Sequence, residues 1–114
     1  MTLLSATWVS VCPASALSVD RGVCALVDGV QVALFRLADG TVYAISNFDP
    51  FSSAFVLSRG IVGDHDGTPK VASPIYKESF DLATGRCLDD PSVVVPVYAT
   101  RIVDGQLEVA VPCL

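Results

Sequence analysis

Apolar and polar residues alternate along most of this chain, and Asp-Gly pairs punctuate the alternation. An Asp-Gly pair supplies the positive φ angles that a two-residue type I′ hairpin requires. Folding the chain back on Asp28-Gly29 sets Val27 against Val30, Ala25 against Val32 and Val23 against Leu34, an apolar face throughout. The same operation on Asp39-Gly40 sets Leu37 against Val42 and Phe35 against Ala44. On Asp104-Gly105 it sets Ile102 against Leu107 and Thr100 against Val109, with Arg101 facing Glu108 as a cross-strand ion pair. The stretch IVGDHDGTPKVAS, Ile61 to Ser73, reads as a further hairpin with His65 at its Asp-His-Asp-Gly tip. Pro13 to Leu17 and Ser52 to Ser58 have room for one helical turn each, and no stretch carries an apolar period of 3.6 for longer. The pattern predicts an all-β antiparallel protein, a barrel or sandwich of short strands. No linker, repeat or low-complexity tract divides it, so residues 1–114 are expected to form a single domain.

Composition narrows the function more than the fold. With 52% hydrophobic and 17% charged residues, a chain of 114 residues can bury one real core and is not disordered. The formal net charge is −5 and the seven Lys and Arg are scattered singly, which speaks against nucleic acid or an anionic membrane surface as a partner. No apolar run reaches the length of a membrane span. The opening MTLLSATWVSVCPASA lacks the basic start of a signal peptide, and bulky Val11 stands where a lipoprotein needs a small residue before Cys12. A soluble, cytoplasmic protein with no membrane partner is expected. Low charge with high apolarity also leaves room for a hydrophobic face that meets another protein.

Cys12, Cys24, Cys87 and Cys113 are far apart, with no Cys-x-x-Cys pair, and the lone histidine, His65, is distant in sequence from each. A zinc site needs local pairs of ligands, so reduced thiols acting as small hydrophobes are expected, without disulfides.

Two segments look like loops built to hold something. NFDPFSSAFVLSRG, Asn47 to Gly60, opens on Asn and Asp-Pro and closes on Gly. ASPIYKESFDLATG, Ala72 to Gly85, places Ser-Pro ahead of an aromatic and a Phe-Asp…Thr-Gly turn. Neither holds a cysteine or histidine. Their frame resembles the Rieske iron–sulfur domain, a small β-barrel with a two-loop cluster-binding subdomain inserted between strands. In that family one loop reads Cys-x-His and the other Cys-x-x-His, and two Cys hold one iron while two His hold the other. Pro50, Leu57 and Gly60 of the first loop, and Pro74, Phe80, Asp81, Thr84 and Gly85 of the second, match that frame. The four ligand positions fall on Asp49, Phe51, Ser73 and Tyr76. Phe51 has no lone pair, and Ser73 and Tyr76 are poor neutral donors, so a [2Fe–2S] cluster is expected to be absent.

A narrower resemblance covers Trp8 to Val111: the chain is similar to the small subunits of NAD(P)H-dependent assimilatory nitrite reductases. It rests on Asp49-Pro50-Phe51-Ser52, Leu57-Ser58-Arg59-Gly60, Val71-Ala72-Ser73-Pro74 and Tyr76-Lys77. The resemblance implies an accessory, non-catalytic subunit with no cofactor of its own. It also implies a large catalytic partner carrying FAD, a [4Fe–4S] cluster and sirohaem, on which nitrite is reduced to ammonium in nitrate assimilation. The alternative from another class is a stand-alone, cofactor-free Rieske-like binding or scaffold module. An iron–sulfur electron carrier is excluded by the lost ligands, a Cys24 or Cys87 brought to the loops being the one way round that.

The loop positions carry two compatible readings. Phe51 and Tyr76 are expected to lie close together and fill the space of a cluster, at least one of them substantially buried, with Asp49 or Ser73 bonded to backbone N–H groups of the opposite loop. Rigid loop tips would also make a docking surface for the large subunit. Elsewhere the bland readings prevail. His65 between Asp64 and Asp66, and the pair Asp89/Asp90, read as turn residues rather than as an acid and base. Lys77 and Arg59 read as solvent-facing charges, with an acidic partner patch as the functional alternative. No serine has the context of a hydrolase nucleophile.

Overall fold

The computed structural model describes residues 6–112, and its strands are short, as the spacing of the turns requires. They are β1 (Ala6–Pro13), β2 (Gly22–Val27), β3 (Val30–Arg36), β4 (Val42–Ser46), β5 (Phe48–Asp49), β6 (Ala54–Phe55), β7 (Ile61–His65), β8 (Thr68–Ala72), β9 (Ser79–Asp81), β10 (Val97–Val103) and β11 (Gln106–Pro112). A curled antiparallel sheet runs β1-β11-β10-β4-β3-β2. Between β4 and β10 the chain inserts the hairpin β5–β6 and the three-stranded sheet β7-β8-β9. One-turn 3-10 segments lie at Ala14–Ala16 and Leu57–Arg59. The first falls within the turn expected at Pro13 to Leu17. The second takes only the end of the expected Ser52 to Ser58 turn, because Ala54 and Phe55 pair back on Asp49 and Phe48 instead.

The turns follow their chemistry. Asp28-Gly29 (φ 49° and 82°), Asp66-Gly67 (52° and 85°) and Asp104-Gly105 (50° and 79°) are all in the left-handed region. Registers around the first and last are those the sequence predicts: Val27 with Val30 through Val23 with Leu34, and Ile102 with Leu107 through Thr100 with Val109. Arg101 Nε donates to Glu108 Oε1 at 2.6 Å, and its guanidinium lies 4.0 Å from the ring centre of Trp8 on β1. That stack ties β1, β11 and β10 together on the outer face.

Asp39-Gly40 behaves differently. Gly40 alone of the pair has positive φ, 90°. Leu37 N donates to Thr41 O and Gly40 N to Leu37 O, each at 2.9 Å, making a three-residue loop with the glycine at its left-handed end. Asp39 Oδ1 accepts from Thr41 N at 2.9 Å and holds the aspartate out of the left-handed conformation. The expected pairs Leu37–Val42 and Phe35–Ala44 are therefore replaced by Arg36–Val42, Phe35–Tyr43 and Leu34–Ala44. A slip of one residue moves every side chain to the other face. Alternation could not specify the register here, because β3 is apolar on both faces.

Two cores result, and β3 is the wall between them. Val32 and Leu34 pack with Val27, Val42, Ala44, Leu107, Val109 and Val111 inside the large sheet. Ala33 and Phe35 face the other way and pack with Ile45, Leu57, Val71, Phe80, Leu82, Cys87 and Val95 under the inserted segment. All four of these β3 residues are 0% exposed. Cys12, Cys24 and Cys87 are free thiols, and Cys113 lies outside the described residues.

Two outcomes test this account. Phe35→Ala should cost about 3–5 kcal/mol in denaturant unfolding, the range for a large buried aromatic; a loss under about 1 kcal/mol would contradict the shared wall. The Asp39 carboxyl, whose charged form is favoured chiefly by the Thr41 backbone N–H, should titrate below the ordinary aspartate value of 3.8 when followed by carbon NMR. Since the folded pKa is the lowered one, this turn contributes its stability above the ordinary value and loses it as pH falls through the folded one. Titration at or above 3.8 would count against the turn geometry.

Candidate functional site

Loop 47–60 leaves the large sheet at Asn47, which is buried and hydrogen-bonded at every edge. Asn47 Oδ1 accepts from Ser58 N at 2.7 Å, and its Nδ2 donates to Gln31 Oε1 at 3.2 Å and to Cys24 Sγ at 3.4 Å. Its backbone adds bonds to Gln31 O and from Leu57 N, both 3.1 Å. One side chain thus closes the loop on itself and fastens it to β3. Glycine permits the contact from the other side: a β-carbon on Gly22 would lie 2.0 Å from Ser58 O.

Asp49, at the first ligand position, is 0% exposed. Its Oδ1 accepts from Phe51 N at 2.9 Å, an Asx turn within its own loop. Its Oδ2 accepts from Ser52 Oγ at 2.9 Å and from Ser73 Oγ at 2.5 Å. Ser73 is the third ligand position, so the two cysteine positions of the Rieske frame are occupied by a carboxylate and a hydroxyl bonded to each other. Ser73 Oγ also accepts from Ile75 N at 3.3 Å, which leaves the hydroxyl satisfied as donor and acceptor. The loops therefore meet, through side chains rather than through the expected bond to an opposing backbone N–H. Close by, a β-carbon on Gly60 would stand 2.4 Å from Ala72 O, so the loop bases touch backbone to backbone.

The two histidine positions part company. Phe51 is half-buried and packs on Phe80, ring centres 6.1 Å apart, at the edge of the second core. Tyr76 is 62% exposed and has no ring partner among the described residues. The expected Phe51–Tyr76 stack is thus replaced by Phe51–Phe80. The cause is local. Ser73 N donates to Glu78 O at 2.9 Å and closes a turn whose exposed members are Pro74, Ile75, Tyr76 and Lys77, the last in the left-handed conformation at φ 66°. That turn carries Tyr76 outward.

The Phe-Asp…Thr-Gly segment holds the second loop's far end. Asp81 Oδ1 accepts from Ala83 N at 2.8 Å, Gly85 N donates to Asp81 O at 2.7 Å, and a β-carbon on Gly85 would lie 2.0 Å from Val95 O. Asp89 and Asp90 are turn residues as read from the sequence, accepting from Ser79 N at 2.7 Å and Ser92 Oγ at 2.6 Å. His65 is exposed at its hairpin tip, Nε2 3.7 Å from Asp66 Oδ2. Arg59 and Lys77 are exposed.

This donor set does not fit a two-iron cluster. Phe51 offers no electron pair, Tyr76 points away from the frame, and Asp49 and Ser73 already satisfy one another. Cys24 does come to the base of the first loop, at Asn47, and Cys87 lies under Phe80, yet they arrive singly. Among the described residues no group of three or more His, Cys, Asp or Glu is placed to hold a metal ion. Sequence reasoning missed Asn47 as the knot of the first loop. A lone Asn between a strand and an Asp-Pro is a weak signal that only its burial makes readable.

Residues 7–110 match the Rieske-like [2Fe-2S] domain family. The chain is 43% identical over 102 residues to the nitrite reductase (NADH) small subunit of Salmonella typhimurium, covering 89% of this chain and 94% of that one. A crystal structure from Mycobacterium tuberculosis, provisionally assigned as an NADH-dependent nitrite reductase small subunit, superposes with a TM-score of 0.93 at 51% identity, covering 96% and 99% of the two chains. The nitrite reductase [NAD(P)H] large subunit of Klebsiella oxytoca contains a segment 38% identical over 105 residues, 92% of this chain and 11% of that one. The chain belongs to the Rieske-like domain family and, within it, to the nitrite reductase small subunits.

The clasp between the loops is measurable by a double-mutant cycle. Asp49→Ala and Ser73→Ala should each destabilise, and their coupling energy should be about 1–3 kcal/mol, as for a buried hydrogen bond to a carboxylate. Additivity to within about 0.3 kcal/mol would show that the bond contributes nothing.

Proposed function

We propose that the chain is the small accessory subunit of an NAD(P)H-dependent nitrite reductase, working in the cytoplasm. Nitrite is reduced to ammonium on a large catalytic partner that carries FAD, a [4Fe–4S] cluster and sirohaem. The small subunit contributes no electron carrier. The observation that carries the reading is the fate of the four ligand positions: the Rieske frame is kept, and its donors are replaced by Asp49, Phe51, Ser73 and Tyr76. The relatives' names support nitrite reduction and a large partner subunit. The product and the partner's cofactors are what the family resemblance implies. The large subunit that contains a similar segment makes a partner of that kind the natural one. No helix among the described residues is long and apolar enough to cross a membrane.

Without a redox group, the subunit acts through contact. It holds the catalytic chain in an active arrangement or covers part of its surface. The loop bases, fixed by Asn47 and by the Asp49–Ser73 clasp, present the tips without further ordering, which favours association because less freedom is lost on binding.

Expression alone should give a colourless protein free of iron and without nitrite reductase activity. Co-expression with the large subunit should give a complex whose NAD(P)H-dependent nitrite reduction falls when the small subunit is left out. A brown protein with a low-temperature iron–sulfur EPR signal would overturn the cofactor-free reading, and full activity of the large subunit alone would overturn the accessory one.

A further inference from the structure

We infer, resting on the accessory-subunit reading, that Ile75-Tyr76-Lys77 at the tip of the second loop anchors this domain on the large catalytic chain, in an apolar socket rimmed by carboxylates. The four former ligand positions do not form one docking surface. Asp49 and Ser73 face each other inside, Phe51 lies on Phe80, and Tyr76 alone is turned out. Beside it Ile75 is 44% exposed, an apolar residue kept on the surface with no use in the core. A tyrosine of this kind, amphipathic and with few rotatable bonds, is typical of the residues that dominate interface affinity.

The backbone presents the triplet deliberately. Lys77 is held at φ 66°, a conformation that costs a non-glycine residue energy, by the bond between Ser73 N and Glu78 O. Ser73 is also the residue clasped to Asp49, so the tip is braced directly on the buried base.

Charge says what kind of surface receives it. The chain has 12 acidic residues against 7 Lys and Arg, yet segments 50–56 and 74–77 contain no Asp or Glu, and Lys77 is exposed. Of the nearest carboxylates, Asp49 is buried, Asp89 is exposed and accepts from Ser79 N, and Glu78 is half-buried with its Oε2 lacking a hydrogen-bond partner among the described residues. An apolar tip with one cation, on a protein of net charge −5, is complementary to an apolar socket with an acidic rim. A second copy of this chain is the poorer occupant, since a two-fold contact between tips would set Lys77 against Lys77.

The test measures binding of immobilised large subunit to the small subunit and its variants, at low and high salt. Tyr76→Ala should weaken binding about 10- to 30-fold, while Tyr76→Phe keeps most of it. Lys77→Glu should weaken binding and remove much of the salt dependence of the wild type. Val103→Ser, an exposed apolar residue on the β10–β11 hairpin, should bind as wild type, and all four should unfold at the wild-type midpoint. Wild-type affinity in both Tyr76→Ala and Lys77→Glu would overturn the anchor while leaving the accessory reading intact. A wild-type homodimer that Tyr76→Ala disperses would show the tip to be a self-contact and overturn it too. Failure of the wild type to bind the large subunit would sink both readings.

Discussion

Everything in this fold hangs on β3 being buried on both faces. A strand with one wet face can slip or peel; this one has Val32 and Leu34 in one core and Ala33 and Phe35 in the other. β4 repeats the division, sending Val42 and Ala44 one way and Ile45 the other. The large sheet and the inserted segment therefore share a wall, and neither can shift without disturbing the other's packing. The loops inherit their precision from that wall. Asn47 follows β4 directly and reaches back to Gln31 on β3, while Leu57 of the first loop, Val71 of β8 just before the second and Phe80 within the second pack on Phe35's side.

The frame can therefore survive the loss of its metal ligands. In a Rieske site, metal–ligand bonds draw the loops together. Here the same closure is assembled from smaller pieces: a buried carboxylate–hydroxyl clasp, the Asn47 knot, Phe51 on Phe80, and the close approach at Gly60. Each polar piece contributes on the order of 1 kcal/mol net, but any one left unmade would strand a buried polar group. Mutual satisfaction is what makes the arrangement stable, and it is also what makes it unsuited to iron.

Turn chemistry was the most legible part of the sequence. Three Asp-Gly pairs close two-residue hairpins with both residues at positive φ, and the registers follow from them. The fourth fails because Asp39 finds Thr41 N, a competition that is local and visible only once the strand faces are known. The loop frame was legible too, since Gly60 and Gly85 sit where a neighbouring carbonyl leaves no room for a side chain and the Asp81 side chain accepts from Ala83 N. What fills the frame was not. Phe51 and Tyr76 are both aromatic, and residue type alone does not say which of them goes inward. The turn closed by Ser73 N and Glu78 O decides that only one goes.

A clasp made of hydrogen bonds has one consequence that a cluster does not share. A metal tip changes charge when it takes up an electron, and its contact with a partner changes accordingly. Asp49 and Ser73 take up none, so the clasp at the base of the loops has no redox state of its own to change. On the proposed reading, that suits a subunit that stays bound through turnover. A shuttle needs the opposite, an affinity that falls once its electron has been delivered. Replacing thiolate and imidazole by a buried hydrogen bond and an outward tyrosine removes that switch and keeps the shape.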